Sequence, residues 1–134
     1  PQYAQLSDAL AAQSGVGRFT AIRFLLEIGD IHRFATADSL PNYLGVTPQE
    51  YSSGATVHRG RVRKCGPGSL RAWLVQCAWA AVRTGKDAGL VECFTRLAPR
   101  VGRKRAIVAV ARKLALRLRA RWLAFEQEVQ QAAA

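Results

Sequence analysis

The C-terminal third of the chain carries a long apolar stripe that a helix would place on one face. Within residues 103–130 the apolar positions recur at steps of three and four residues, at Ile107, Ala111, Leu114, Leu118, Trp122 and Phe125. This spacing predicts one long helix that packs along a core. Similar, shorter patterns predict further helices at 3–13, 18–28, 36–44, 69–83 and 87–97. The sequence therefore predicts an all-α fold, with one domain across residues 1–134.

Several details of these helices are specific enough to be tested by a structure. Thr36 and Asp87 are expected to be N-caps, because short polar side chains accept hydrogen bonds from the first helical N–H groups. The apolar set of the second helix is Phe19, Ile22, Leu25, Leu26 and Ile28. Trp73, Trp79 and Trp122 lie among apolar neighbours and are expected in the core rather than on a base-stacking surface.

The positive charge is concentrated in the middle of the chain. The whole chain has a net charge of +11 and a pI near 10.8. Residues 1–58 have a net charge of −2, whereas residues 59–121 hold 17 basic residues against Asp87 and Glu92. An excess of this size indicates a polyanionic partner, most often nucleic acid. The anion-facing surface is expected to come from the middle and C-terminal segments.

Cysteine usage and hydropathy exclude several other classes of protein. The three cysteines show no CxxC spacing, so a disulfide framework and a cysteine-rich zinc site are not expected, and no metal ligands are assigned to this chain. The longest apolar runs have six residues, far short of a membrane span. A reducing cytosol is the expected compartment. A basic amphipathic helix lying on an anionic membrane is a weaker alternative for residues 103–125.

The first motif with a chemical role is Gly15-Val16-Gly17-Arg18-Phe19-Thr20-Ala21, between the first two predicted helices. Glycines at this spacing are typical of a helix-hairpin-helix, expected here over about residues 3–29. Gly15 and Gly17 would let the backbone approach a phosphate, and the N–H groups at the start of the next helix would bind it. Such a motif grips the nucleic-acid backbone without reading sequence. The alternative is a helix-capping turn that binds nothing.

The second motif lies in a long basic loop rich in Gly and Pro, predicted over about residues 47–68. Ser52-Ser53-Gly54 stands shortly before a cationic run that contains His58, Arg59, Arg61, Arg63 and Lys64. A serine hydroxyl beside guanidinium groups suits attack on a phosphodiester, because the cations offset charge in the transition state. On composition alone, a loop that only contacts phosphate is the more economical interpretation.

These motifs occur in an order that resembles a known family. The residues are Gly15 to Gly29, then Tyr43-Leu44-Gly45-Val46-Thr47-Pro48, Ser53-Gly54, Gly60-Arg61, Lys64, Gly66 and Leu70-Arg71, with Gly102 to Ala106 and Val110 to Leu114 later. Over about residues 10–125 the chain resembles the C-terminal transposase domain of the insertion-sequence 110/116/902 family. Members of that family are DNA recombinases related to the Piv invertase.

The resemblance implies roles for particular residues and partners. It implies that Ser53 is the nucleophile, with Ser52 as the alternative, and that Arg61, Lys64 and Arg71 bind the DNA backbone. It also implies an upstream RuvC-like domain with acidic ligands for Mg²⁺, homo-oligomers of the full protein and, in some members, a guide RNA. Residue patterns add Gly15, Gly17, Arg18, Arg59, Arg63, Arg112, Lys113 and Arg117 as DNA contacts.

Two functions therefore remain open at the level of sequence. In the first, the chain is a transposase domain that transfers DNA strands through its serine. In the second, it is a non-enzymatic helix-hairpin-helix module that binds nucleic acid. A covalent serine–DNA adduct would distinguish the first from the second.

Overall fold

A computed structural model describes the backbone of residues 2–46 and 67–133, and the side chains of these residues except 67 and 68. The described part is helical and contains no strand, which confirms the predicted all-α class. The six helices are α1 (Gln2–Ala11), α2 (Arg18–Ile28), α3 (Ser39–Leu44), α4 (Pro67–Thr84), α5 (Ala88–Val101) and α6 (Arg103–Ala133). One turn of 3₁₀ helix, Ile31–Arg33, lies between α2 and α3.

The long helix α6 is the centre of the fold, since it packs against α1, α3, α4 and α5. The predicted stripe is confirmed at its buried positions, which are Ile107, Ala111, Leu114, Leu118 and Trp122, while Phe125 is half-buried. The helix α4 adds Leu70, Leu74, Cys77 and Ala81 to the same core. Because α5 packs mainly on α6 and α2 packs on α1 and α4, these two helices lie on different sides of the α4–α6 pair.

The helix α2 is buried through a different face from the predicted one. Phe24 is fully buried and meets the edge of the Trp122 ring, with the two centroids 6.0 Å apart. Phe19 and Leu26 are instead 80% and 79% exposed. Leu25 and Ile28 are buried as predicted. The prediction failed for the others because α2 carries apolar side chains on two faces, and periodicity alone does not say which face meets the core.

Two helix boundaries also differ from the prediction. The first helix ends at Ala11, since the backbone then forms a turn in which Gln13 N–H donates to the Leu10 carbonyl at 3.1 Å. The helix expected at 36–44 is only α3, and Thr36 is not its cap. The carbonyl of Thr36 accepts from the Ser39 hydroxyl at 2.6 Å, which closes a separate turn before the helix. Pro41 is tolerated in α3 because a first-turn residue needs no intrahelical N–H bond.

The C-terminal helices largely match their predictions. Asp87 caps α5, as its Oδ1 accepts from the Leu90 N–H at 3.3 Å. The helix continues past the predicted end, through Pro99, until Gly102 takes a positive φ of 94°. Of the three tryptophans predicted in the core, Trp122 is 2% exposed and Trp79 is half-buried. Trp73 is 41% exposed, so the core prediction was wrong for that residue.

Candidate nucleic-acid interface

The turn between α1 and α2 packs on α4 through its first glycine. Gly15 has a φ of +85°, and a Cβ added there would lie 2.4 Å from the carbonyl oxygen of Cys77 and 2.9 Å from atoms of Ala81. Only glycine allows this approach without displacement of the backbone. Contact with α4 therefore explains the glycine at position 15. Its predicted contact with DNA stays a prediction.

The second glycine of the turn lies at the surface. Gly17 is the exposed N-cap residue of α2. A Cβ added at Gly17 would have no neighbouring atom within 4 Å. The next residue, Arg18, forms an ion pair with Asp8 at 3.2 Å, in which the arginine side chain is 73% exposed. Exposed pairs of this kind contribute only about 0–1 kcal/mol to folding. Arg18 could therefore exchange Asp8 for a phosphate at low cost.

A buried thiol lies beneath this turn. Cys77 on α4 is 3.5 Å from the Thr20 hydroxyl and accepts a backbone hydrogen bond from Gly17. Burial raises the pKa of the Cys77 thiol, and the two hydrogen bonds offset only part of that rise. The thiol therefore stays protonated at neutral pH and acts as a packing group between α2 and α4.

The predicted nucleophile and all of the predicted loop cations lie outside the described residues. These are Ser52, Ser53, Arg59, Arg61, Arg63 and Lys64, together with His58. The described residues next to this segment are held in place by arginines. The Nε of Arg71 donates to the carbonyl of Gly45 at 3.1 Å, and Arg23 donates to the Ser69 hydroxyl. The ends of α3 and α4 that border the segment are therefore tied to each other and to α2.

The exposed Trp73 belongs to this same region. The guanidinium of Arg23 lies 5.8 Å from the centre of the Trp73 ring, within cation–π range. Sequence analysis missed Arg23, since a lone arginine on a predicted apolar helix gives no signal. The side chains of Arg23, Arg71 and Trp73 together make a cationic and aromatic surface where the chain leaves α3 and enters α4.

Most arginines of α6 are held by other parts of the fold. Arg112 forms an ion pair with Asp38 at 2.5 Å, and Arg121 pairs with Glu128 at 3.3 Å. Arg119 donates to the carbonyls of Phe34 and Ala35 at 3.2 and 3.3 Å. Arg112 and Arg119 therefore tie α6 to the segment around the start of α3, whereas Arg121 pairs within α6 itself.

Arg117 is half-buried and links α6 to the start of α5. It contacts the carboxylate of Asp87, which also accepts a hydrogen bond from Gln13 Nε2 at 3.2 Å. Partial burial by itself would raise the pKa of Asp87, but the Leu90 N–H, Arg117 and Gln13 together hold that pKa below its usual value. Asp87 thus joins the α1–α2 turn, α5 and α6.

The described residues offer no metal-binding group and no membrane span. No three His, Cys, Asp or Glu side chains of residues 2–46 and 67–133 are placed to hold a metal ion. Within the same ranges, no helix has the length and apolar character needed to cross a bilayer.

Comparison with known proteins identifies a family. The model of the Transposase IS116/IS110/IS902 family matches residues 7–91. A Sinorhizobium fredii protein named as transposase y4qE is 42% identical to this chain over 71 residues. These residues are 53% of this chain and 18% of that protein. The transposase for insertion sequence element IS1111A of Coxiella burnetii is 34% identical over 101 residues, or 74% of this chain and 28% of that protein.

A third relative is named as a gene-inverting protein. The pilin gene-inverting protein of Moraxella bovis is 28% identical over 116 residues, 85% of this chain and 36% of that protein. The chain thus spans between 18% and 36% of the length of these three relatives. No solved structure matches the chain. Because the family model covers well over half of its residues, the chain belongs to the IS116/IS110/IS902 family of transposases.

Proposed function

We propose that this chain is the DNA-binding and strand-transfer domain of an insertion-sequence recombinase, in which Ser53 attacks a backbone phosphate. The observation that carries the proposal is the family match over residues 7–91, which takes in both the glycine turn and the Ser-Gly loop. Similarity to a pilin gene-inverting protein over 85% of the chain supports recombination as the reaction class. Ser52 is the alternative nucleophile.

The first part of the proposal is that α1, α2 and their turn act as a helix-hairpin-helix that holds the DNA backbone. Gly17 is exposed at the start of α2, with open space around it, and Arg18 is in solvent beside it. Backbone N–H groups at a helix start, together with a nearby cation, favour a phosphate. Gly15 serves this motif indirectly, by holding the turn against α4.

The second part is that the basic loop brings its serine to the bound strand. The described residues that border residues 47–66 carry Arg71 and Arg23, both at the end of the bundle where α4 begins. Arg59, Arg61, Arg63 and Lys64 of the loop are the further cations that we propose to act with Ser53. Guanidinium groups are suited to this role because they bind phosphate oxygens in a bidentate manner.

The proposed reaction conserves the number of phosphodiester bonds. The Oγ of Ser53 attacks phosphorus and loses its proton to a base, for which His58 is a candidate in the same loop. The P–O3′ bond breaks, its electron pair leaves with O3′, and this oxygen takes a proton to become a free 3′-hydroxyl. The 5′-phosphate of the downstream DNA segment is then esterified to Ser53, and the upstream segment ends in the free 3′-hydroxyl. A 3′-hydroxyl from another strand attacks the same phosphorus, and Oγ leaves with a proton.

The remaining parts of the proposal concern partners. The described residues do not supply a ligand set for Mg²⁺. We assign Mg²⁺ to a RuvC-like domain elsewhere in the full protein, as the sequence resemblance implies. DNA as the substrate, homo-oligomers, a guide RNA and a cytoplasmic, nucleoid-associated location belong to the same proposal.

Trapping of a covalent intermediate tests the serine directly. The complete gene product is incubated with a DNA substrate in which a 3′-bridging sulfur replaces O3′, because a thiolate leaves readily and does not religate efficiently. A denaturation-resistant protein–DNA adduct is expected with the natural sequence and with Ser52→Ala, and is expected to be absent with Ser53→Ala. Mass spectrometry of the adduct assigns the modified residue.

The outcomes separate the two functions left open by the sequence. An adduct that is lost only with Ser52→Ala moves the nucleophile to Ser52. DNA binding of normal strength without any adduct, in the natural protein and in both variants, would favour the non-enzymatic helix-hairpin-helix module and overturn the strand-transfer proposal.

A further inference from the structure

Six exposed cations of the described residues have no hydrogen-bond, ion-pair or ring partner among those residues, and they are Arg83, Lys86, Arg96, Arg100, Lys104 and Lys113. Three of the six lie on the outer side of the α5–α6 hairpin. Arg96, Arg100 and Lys113 are exposed, and no hydrogen bond or ion pair joins any of them to another described residue. Before α3, by contrast, Arg18 and Arg33 are both engaged, with Asp8 and with the Ile28 carbonyl. The unpaired positive charge of the described residues therefore lies after α3, and the total charge of the chain does not reveal this.

Helix geometry places Arg96 and Arg100 on one flank of α5. They are four residues apart, so their side chains leave the helix on the same face, about 6 Å apart along its axis. Phe94 lies on the opposite flank, roughly 200° away from Arg96 around the helix. The ring of Phe94 contacts Trp79 of α4, with centroids 5.5 Å apart. Arg96 and Arg100 therefore face away from α4 and from the α1–α2 hairpin.

Lys113 lies on the side of α6 that borders α5. It is one turn before Arg117, whose guanidinium contacts Asp87 at the start of α5. Because α5 and α6 are antiparallel and join at Gly102, Lys113 lies level with about residue 91 of α5. The three cations then span roughly 14 Å along the hairpin. One strand of a duplex presents about four phosphates over that length, at 3.4 Å of axis each.

A single acidic side chain interrupts this row. Glu92 is exposed, lies one turn before Arg96, and has no ion-pair partner among the described residues. It therefore lowers the local potential without neutralising any one arginine. Its presence also offers a test of the opposite sign, because removal of its charge strengthens the field.

We propose that the outer side of the α5–α6 hairpin, formed by Arg96, Arg100 and Lys113, binds the sugar–phosphate backbone of a nucleic acid, separately from the α1–α2 hairpin. This inference rests on the proposed nucleic-acid-binding function. Unengaged cations in a row are what a phosphate strand requires, whereas the arginines of α6 that have protein partners must first release them. The contact reads no bases, so it is independent of sequence.

The test compares Arg96→Gln/Arg100→Gln with Gln127→Glu/Gln131→Glu, since both double variants lower the net charge by the same amount. The control residues are exposed on the last turns of α6, about 20 Å along the helix from Lys113 and outside the α1–α2 hairpin. Binding of the 134-residue chain is measured against a 20-base-pair duplex of DNA and against the same sequence as duplex RNA, from 50 to 200 mM salt. Circular dichroism checks that each variant keeps its melting temperature.

The arginine variant is expected to weaken binding by about tenfold or more at 100 mM salt and to reduce the salt slope by about 1.8, or roughly 0.9 for each lost contact. The control is expected to change affinity by less than about threefold with an unchanged slope. Glu92→Gln is expected to strengthen binding by a few-fold. If the arginine variant weakens binding to one of the two duplexes and not to the other, the affected nucleic acid is the ligand.

Equal effects of the arginine variant and its control would overturn the inference while leaving the proposed function intact. Failure of the natural chain to bind either duplex would overturn both. If the natural protein forms no Ser53–DNA adduct but the arginine variant still weakens binding, only the strand-transfer proposal is overturned. These outcomes keep the new surface and the proposed reaction separable.

Discussion

The α1–α2 hairpin and the α5–α6 hairpin have the same topology but use glycine and charge differently. Gly15 in the first hairpin is packed so closely on α4 that no other residue fits, whereas Gly102 in the second has open space where a Cβ would lie. Arg18 of the first is paired, while Arg96 and Arg100 of the second have no partner among the described residues. The glycine motif of the first hairpin thus has a mainly structural role at Gly15, and the second hairpin carries the unpaired cations.

The largest expected effect is on Gly15, because two costs combine there. Gly15→Ala places a Cβ against the Cys77 carbonyl and forces a side chain into a positive φ. We expect a loss of about 3 kcal/mol of unfolding free energy, from strain and overpacking together. Urea denaturation measures it. Gly17→Ala is the matched control and should cost less than about 1 kcal/mol, since only the N-cap preference changes.

Affinity sharpens the same contrast. If α2 begins at a phosphate, the new methyl group of Gly17→Ala obstructs backbone approach, and DNA affinity falls several-fold while stability is kept. Equal loss of stability in both glycine variants would contradict the packing role assigned to Gly15. Unchanged DNA affinity in Gly17→Ala would remove the phosphate contact proposed for the first hairpin.

An intermediate effect is expected at Asp87, which connects the two hairpins through Gln13 and Arg117. Asp87→Asn retains a capping side chain but removes the charge, and we expect a loss of about 1–2 kcal/mol at pH 7. Because the pKa of Asp87 is lowered by folding, its charge stabilises the native state above the unfolded pKa of about 3.9. That contribution disappears as the pH falls through the lower, folded pKa.

The measurement is chemical denaturation of the natural chain and of Asp87→Asn between pH 7 and pH 3. The difference in unfolding free energy should be constant down to about pH 5 and should shrink at lower pH. A difference that grows on acidification would contradict the assigned direction of the pKa shift. The control is Glu92→Gln, whose exposed carboxylate has no ion-pair partner among the described residues and should leave stability nearly unchanged.

The sequence predicted the elements that have one dominant face. The apolar stripe of α6 and the cap at Asp87 were predicted because spacing and side-chain chemistry point to one arrangement. The predicted buried face of α2 was wrong. Phe19 and Leu26 lie on the face opposite Phe24, and the neighbours that decide which face is buried are distant in sequence. The predicted end of α5 at residue 97 was also wrong, because the helix continues through Pro99 to Val101.

The candidate site divides in the same way. Residue patterns identified both Lys113 and Arg117 as DNA contacts, but only the structure shows that Arg117 contacts Asp87, while Lys113 has no partner among the described residues. Arg96 and Arg100 were missed because the predicted helix stopped between them, which concealed their i, i+4 spacing. Partners distant in sequence decide whether a cation is free, and no local pattern contains that information.

The smallest expected effect tests whether the paired cation of the first hairpin can be released. Asp8→Asn removes the partner of Arg18 from an ion pair that is exposed on both sides. Stability should change by less than about 0.5 kcal/mol, as is typical of such pairs. DNA affinity should rise by about two- to threefold at low salt, because Arg18 and the start of α2 no longer face a competing carboxylate. If Arg18→Gln/Asp8→Asn binds DNA more tightly than Arg18→Gln by the same factor, the gain comes from the lost charge of Asp8 and not from release of Arg18, and the difference between the two hairpins would then reduce to the free cations of α5 and α6.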